Sequence, residues 1–478
     1  MKPSKKNRKR KKSNKQILMV TYFFVTVFLG LMGYTCHYAI THQQELINNS
    51  YNGRQEILIS QNTRGTIYAA GGQVLAETKT DENGKEVRSY PYANLFSHVV
   101  GYASNGKFGI ESSSNYYLIN SNAKLADKVA SEVAGDKYPG DSVYTTLDVG
   151  VQEVADQSLG VYKGAIIVSE PSTGKIIAMV SKPDFDPNEI DSIWDELIED
   201  KESTVLLNRV TQGLYPPGST FKIVTALEYI RENPDTYNQY TYQCGGRFTL
   251  GEDRINCYHG TVHGYEDFTK SFAKSCNASF ANIGVQLDRA QFGNTLNSLL
   301  FNKELPVSFA YNQSRLIIDE STSDSDVMQA AIGQGTTQIT PLHLNMITCA
   351  IANKGVLMKP YLVECVKNNE GNIIKQFEPD TYRKLISEEE AAALTGLMQE
   401  VVTSGTGTKL SGLSYTAAGK TGSAEYNSVK TDSHAWFTGF APAEDPEVCV
   451  TIIIEGAGSG GDYAVPIAKR IFNEYFGL

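Results

Sequence analysis

Three short clusters, Ser219-Thr220-Phe221-Lys222, Ser275-Cys276-Asn277 and Lys420-Thr421-Gly422-Ser423, hold the residue types that acyl transfer by a serine needs. A serine hydroxyl is a poor nucleophile at neutral pH and needs a base, and an ordinary protonated lysine cannot be one. Burial, or a second cation close by, lowers a lysine's pKa. Lys222, one helical turn from Ser219, is the expected base, and Lys420 the second cation. Ser275 and Asn277, two apart, point the same way on an extended loop, where Ser275 relays a proton between Lys222 or Lys420 and a leaving amine and Asn277 holds a substrate amide. Lys420, Thr421 and Ser423 offer a positive charge and two hydroxyls to a substrate carboxylate. The N–H groups of Ser219 and Ser423 suit an oxyanion hole. Gly422 removes a side chain where a substrate backbone approaches. The expected catalytic set is therefore Ser219, Lys222, Ser275, Asn277 and Lys420, with Thr421, Gly422 and Ser423 binding substrate; no cofactor or metal ligand belongs to it.

Order and context separate these clusters from chance. Ser-x-x-Lys also occurs at Ser104, Ser121, Ser172 and Ser271, but only the Ser219 copy opens a helix. Tyr215-Pro216-Pro217-Gly218 cannot continue a helix, whereas Thr220 to Ile230 places Ile223, Ala226, Leu227 and Ile230 on one apolar face. Ser219 then sits at a helix N-terminus, where free N–H groups favour developing negative charge. Around it, Val143–Leu147 reads as a strand, Val149–Leu159 as an amphipathic helix, and Ala165–Val168 with Ile176–Val180 as a hairpin. Near the end come strands His434–Phe440 and Val448–Ile454 and a helix Pro466–Tyr475, with Lys420 on an edge strand. Strands first and last with helices between them imply one antiparallel sheet built from both ends of a single α+β domain, residues 141–478.

The net charge of −10 over 478 residues averages two unlike parts. Residues 1–15 hold nine Lys and Arg and no acid, so the remaining 34 bases face 53 acids, a net of −19. An acidic body excludes nucleic acid as a partner, because phosphate contacts need a basic face. Beyond the basic tail, residues 16–40 form an apolar run with no fixed charge, enough to cross a hydrocarbon core of about 30 Å. A cleaved signal peptide would want a shorter run and a small-x-small site, and Thr35-Cys36-His37-Tyr38 supplies neither. The positive-inside rule keeps the tail cytoplasmic and the rest extracytoplasmic. Residues 41–140, a polar linker followed by short β-rich runs, make a small module between anchor and catalytic domain.

With these residues in view the chain resembles the class B penicillin-binding proteins, the monofunctional peptidoglycan D,D-transpeptidases, and within them a compact penicillin-binding protein A-like type. The likeness extends to Arg64-Gly65-Thr66-Ile67, Gly72-Gln73-Val74-Leu75-Ala76, Gly109-Ile110-Glu111, Asn208-Arg209, Gly333-Gln334-Gly335 and Ala435-Trp436-Phe437. The resemblance implies a serine β-lactamase/transpeptidase-like domain, an antiparallel sheet flanked by helices, on a small N-terminal pedestal with one transmembrane helix. It implies wall stem peptides as substrate, β-lactams as covalent ligands, and a membrane glycan polymerase as partner, since about 100 residues between anchor and catalytic domain cannot hold one. A D,D-carboxypeptidase, a β-lactam hydrolase or sensor of the same fold, and a non-catalytic wall scaffold are the competing readings.

The extracytoplasmic cysteines leave a question open. Cys244 and Cys257, followed by His259 and His263, suit a disulfide, two free thiols or a loosely spaced zinc site. Cys276 reads as a packing residue, because no adjacent base is evident to activate its thiol. His434 reads as a structural histidine.

Overall fold

The computed structural model describes residues 5–41, 54–425 and 433–478, and the chain divides into two compact units, Met1–Asn62 and Thr63–Leu478. In the first, helix α1 (Lys5–Thr41) contains a stretch, Asn14–Thr41, long and apolar enough to cross a membrane. The hydroxyls of Thr21, Thr26 and Thr35 donate to the carbonyls of Ile17, Tyr22 and Leu31, so their polarity is satisfied within the helix. A short helix, Arg54–Gln61, follows, and part of the expected polar linker, residues 42–53, lies outside the described residues.

The second unit opens with a six-stranded mixed sheet in the order Ile373–Gln376, Val363–Lys367, Ser142–Thr145, Ile67–Tyr68, Val74–Thr80, Glu86–Ser89. Strands from either side of residue 140 thus share one sheet. Its motifs are held by charge. The fully buried Glu111 receives Arg64 Nε at 2.6 Å and Arg88 Nε at 2.7 Å, and Arg64 also donates to the Glu111 carbonyl and Asn115. An uncompensated carboxylate could not be buried there, and the two guanidinium groups hold it below the usual carboxylate range.

Helix α2 (Val149–Leu159) begins where the Asp148 side chain accepts the Val151 N–H. Strands β1 (Gly164–Ser169) and β2 (Ile176–Lys182) follow, then helices α3 (Lys222–Glu232), α4 (Phe268–Ala273), α5 (Asn277–Gln286) and α6 (Pro341–Ala352). Strands β3 (Ala418–Glu425), β4 (Ser433–Ala441) and β5 (Val448–Ile454) and helix α7 (Gly460–Phe476) close the chain. The central sheet is antiparallel in the order β3-β4-β5-β1-β2, built from both ends of the domain with β3 at its edge. Side chains alternate across it. Ala165 and Ile167 of β1 join the core that contains α3 and α6, whereas Ile166 and Val168 join a second core with α2 and α7.

Two helices differ from expectation for physical reasons. Residues Lys222 to Ile230 of α3 are all buried, so the helix is not half solvated; its polar groups are satisfied inside, Thr225 by the Ala331 carbonyl and Glu228 by the Thr295 hydroxyl. Helix α7 starts six residues before Pro466. A proline strands the carbonyl four residues back, here that of Asp462, and Lys409 Nζ donates to it at 3.4 Å.

Candidate active site

Ser219 lies in a 3₁₀ turn, Gly218–Phe221, that runs directly into α3. Gly218 makes that turn with φ +54°, and a Cβ there would meet the Ser423 carbonyl at 2.9 Å. The turn therefore rests against edge strand β3. Gly333, at φ +73°, backs it from below: its carbonyl accepts the Gly218 N–H, and an added Cβ would lie 2.1 Å from the Gly218 oxygen. Trp436 Nε1 donates to the Pro216 carbonyl and ties the turn to β4.

Lys222, on the first turn of α3, is fully buried. Its Nζ donates to the Ser275 carbonyl at 2.7 Å, to Asn277 Oδ1 at 2.7 Å and to Ser275 Oγ at 3.3 Å. Lys420, also fully buried, donates to Ser275 Oγ at 3.0 Å and to its neighbour's carbonyl on Thr421. Two ammonium groups thus converge on one hydroxyl. Each also faces an aromatic ring, Lys222 over Phe280 and Lys420 over Phe272. Burial lowers Lys222 to about 8. Burial first, and the Lys222 charge second, lower Lys420 well below the ordinary lysine value. Burial was one of the two causes expected for Lys222 and is the larger; the repulsion between the two charges acts on the pair.

Ser275 and Asn277 do not share an extended loop. Ser275, at φ +58°, occupies the left-handed region between α4 and α5, Cys276 caps α5 and Asn277 is its first residue. For a non-glycine residue that conformation costs about 1–2 kcal/mol, and such strain marks sites that the surrounding structure holds for a purpose. Both side chains still meet Lys222, because the reversal at Ser275 replaces the alternation expected of a strand.

Thr421 is buried with its hydroxyl against that of Thr406, and Ser423 is half-buried on the edge of β3. Gly422 has a different role from the one expected. A Cβ there would meet the Pro217 carbonyl at 3.0 Å and Thr220 Cγ2 at 3.1 Å. Its missing side chain admits the Ser219 turn rather than a substrate. His434 packs edge-on against Tyr215 and its Nδ1 accepts the Gly456 N–H, as befits a structural histidine.

Ser219 sits between two open lobes of about 530 and 430 Å³. Both are lined by Ser219, Tyr258, Asn277 and Ser423; the larger adds Arg254 and Glu425, the smaller Lys274, Thr421 and the ion-paired Lys409 and Asp462. Tyr258 and Thr406 carried no sequence signal of their own, and only the fold brings them to the groove.

A helix-flanked antiparallel sheet with a serine turn beside a buried lysine pair defines a class, the serine acyl-transfer enzymes of the penicillin-recognising fold, and comparison with known proteins gives the family. Residues 164–473 match the model of the penicillin binding protein transpeptidase domain, and residues 64–143 that of the penicillin binding protein A dimerisation domain. The chain belongs to the penicillin-binding protein transpeptidase family. It is 31% identical over 449 residues to the peptidoglycan D,D-transpeptidase PbpA of Mycolicibacterium smegmatis, covering 87% of this chain and 90% of that one. Among solved structures it is similar to the D,D-transpeptidase domain of a peptidoglycan glycosyltransferase from Eggerthella lenta, with TM-score 0.78, 30% identity, and 87% and 99% of the two chains covered. It is also similar to the penicillin G acyl-enzyme complex of penicillin-binding protein A from M. tuberculosis, with TM-score 0.78, 27% identity, and 87% and 100% covered.

Proposed function

We propose that this chain is a peptidoglycan D,D-transpeptidase that cross-links wall stem peptides through an acyl-enzyme on Ser219. The observation that carries the reading is the convergence of buried Lys222 and Lys420 on Ser275 Oγ beside Ser219 in a two-lobed groove. Ser219 Oγ attacks the carbonyl of the penultimate D-Ala and its proton passes to neutral Lys222. The N–H groups of Ser219 and Ser423 receive the oxyanion. Ser275 hands a proton from the lysine pair to the departing D-Ala amine, and Asn277 holds the donor peptide amide. Thr421, Ser423 and Lys420 serve the terminal carboxylate. An amine from a second stem peptide, entering the other lobe, attacks the ester, forms the cross-link and regenerates the serine. Lys222 has no bond to Ser219 in the free site; catalytic hydrogen bonds commonly tighten only when substrate arrives.

A β-lactam ring replaces the D-Ala-D-Ala amide in the first step, and its opened ring stays on Ser219. Anchored by α1 with the basic tail cytoplasmic, residues 41–140 form the pedestal and 141–478 the transpeptidase domain, working beside a membrane glycan polymerase. Incubating the full-length protein with a pentapeptide substrate and an acceptor amine tests the reading. Cross-linked dimer with equimolar D-Ala is expected; tetrapeptide alone would make the protein a carboxypeptidase, and no turnover would favour a scaffold.

A further inference from the structure

Residues 241–267, which wall the groove on the Tyr258 side, form two small antiparallel pairs: Thr241–Cys244 with Gly264–Asp267, and Arg247–Leu250 with Asp253–Asn256. The second pair is largely exposed. What lies beneath is scarcely a hydrophobic core. Its buried members are Cys244, Cys257, Cys276 and Ala278. Beside that cluster the excursion adds only the partly buried Tyr242, Phe248 and Ile255, a thin apolar support for 27 residues of the kind that small folds supplement with a metal or a disulfide.

We infer that Cys244, Cys257, Cys276 and His263 bind a zinc ion as a tetrahedral three-cysteine, one-histidine site. Their ligand atoms all lie within 4.8 Å of one another. With Zn–S about 2.3 Å and Zn–N about 2.0–2.1 Å, a tetrahedron has S···S edges of about 3.8 Å and S···N edges of about 3.5 Å. The Cys244 and Cys257 sulfurs stand 3.7 Å apart, those of Cys257 and Cys276 3.8 Å, and Cys244 Sγ and His263 Nδ1 3.5 Å. The surroundings suit thiolates. Each sulfur lies within reach of one backbone N–H, from Gly246, Ala278 and Ser279 to Cys244, Cys257 and Cys276, at 3.3–3.5 Å. All three cysteines are buried and His263 is half-buried. On binding, the three thiols release their protons to solvent, and Zn²⁺ with three thiolates and a neutral imidazole carries a net charge of −1. Three cysteines also make a poor disulfide set, since any pair leaves the third unpaired.

This ligand set differs from the spacing-based candidates. His259, at φ +50° in the turn after Cys257, is outside the cluster, and Cys276 takes its place. Cys276 stands between Ser275 and Asn277, so the metal would pin the reversal that presents both to Lys222. The ligands are therefore positioning residues for the catalytic groove rather than catalytic ones.

The test uses full-length protein in detergent, purified without chelators or a polyhistidine tag, and measures metal by inductively coupled plasma mass spectrometry. About one zinc per chain is expected. Cobalt exchanged into the site should give the intense thiolate-to-metal charge-transfer and ligand-field bands of tetrahedral sulfur coordination. Cys244→Ser and His263→Ala should lose the metal, while His259→Ala keeps it. Wild-type protein that holds no stoichiometric zinc and gives no thiolate–cobalt band would overturn the proposal, as would a Cys244–Cys257 disulfide in protein from the cell. Metal loss from His259→Ala equal to that from His263→Ala would overturn the ligand set. Because the wild-type readings stand without the variants, a cysteine variant that fails to fold leaves the decision intact, and none of these readouts depends on transpeptidation.

Discussion

At the scale of single residues, the site turns on two lysines whose burial loosens their hold on their protons. Lys222, lowered to about 8 by burial, is a base only in its neutral form. The neutral fraction grows as pH rises through that value, so the second-order rate of acylation by penicillin should climb between about pH 7 and 9 and then level off; a flat profile across that range would remove Lys222 as the base. Lys222→Ala should slow acylation by about 10²–10⁴-fold, the usual worth of a general base. Lys420→Ala should retain slow labelling, because Ser219 and Lys222 are intact. The types and spacing of these residues were readable in the chain, since a serine, two lysines and a glycine-rich strand edge carry their chemistry wherever the fold puts them. Their contacts were not. That Lys222 spends its donors on Ser275 and Asn277, and that Gly422 makes room for Pro217 and Thr220, depends on segments more than 50 residues apart in sequence.

At the scale of elements, helix α2 and strand β5 have the limits their apolar periodicity marks, Val149–Leu159 and Val448–Ile454. Local pattern failed where tertiary contacts decide: at Ser275, whose left-handed turn looks like any polar loop, and at α7, which starts before Pro466 with the freed Asp462 carbonyl accepting from Lys409 of another segment. The loop holding Gly333 shows how the serine turn is set. Gly333→Ala combines a positive φ with a Cβ 2.1 Å from the Gly218 carbonyl. It should destabilise the protein by about 1–3 kcal/mol, the range of strained backbone substitutions, and slow labelling far more than Gly371→Ala, whose site has open space. Thermal denaturation and labelling rates on the two variants check this. The 241–267 excursion belongs to the same scale: stripping its metal with a chelator should slow penicillin labelling by about tenfold or more, as loss of supporting interactions around a site does, and zinc should restore it.

At the scale of the whole molecule, the −10 net charge resolves into a basic tail before an apolar helix and an acidic body. Protease added outside spheroplasts should digest residues after 54 and leave an N-terminal epitope tag intact; the opposite pattern would reverse the topology. The six-stranded mixed sheet was not legible in the sequence. It pairs Ile67–Tyr68 with Ser142–Thr145, and Ser142–Thr145 with Val363–Lys367, across more than 200 residues, and no local period records such a partnership. The antiparallel central sheet was legible because strands at both ends of one domain had few other ways to bury their apolar faces. The serine turn, the buried lysine pair and the groove all serve one covalent bond, the ester on Ser219. Full-length wild type and Ser219→Ala are incubated with penicillin G, and the adduct is located by peptide mass spectrometry. A single penicilloyl group is expected on the peptide containing Ser219 in the wild type and none in the variant. Undiminished modification of Ser219→Ala, or an adduct on another residue, would contradict it.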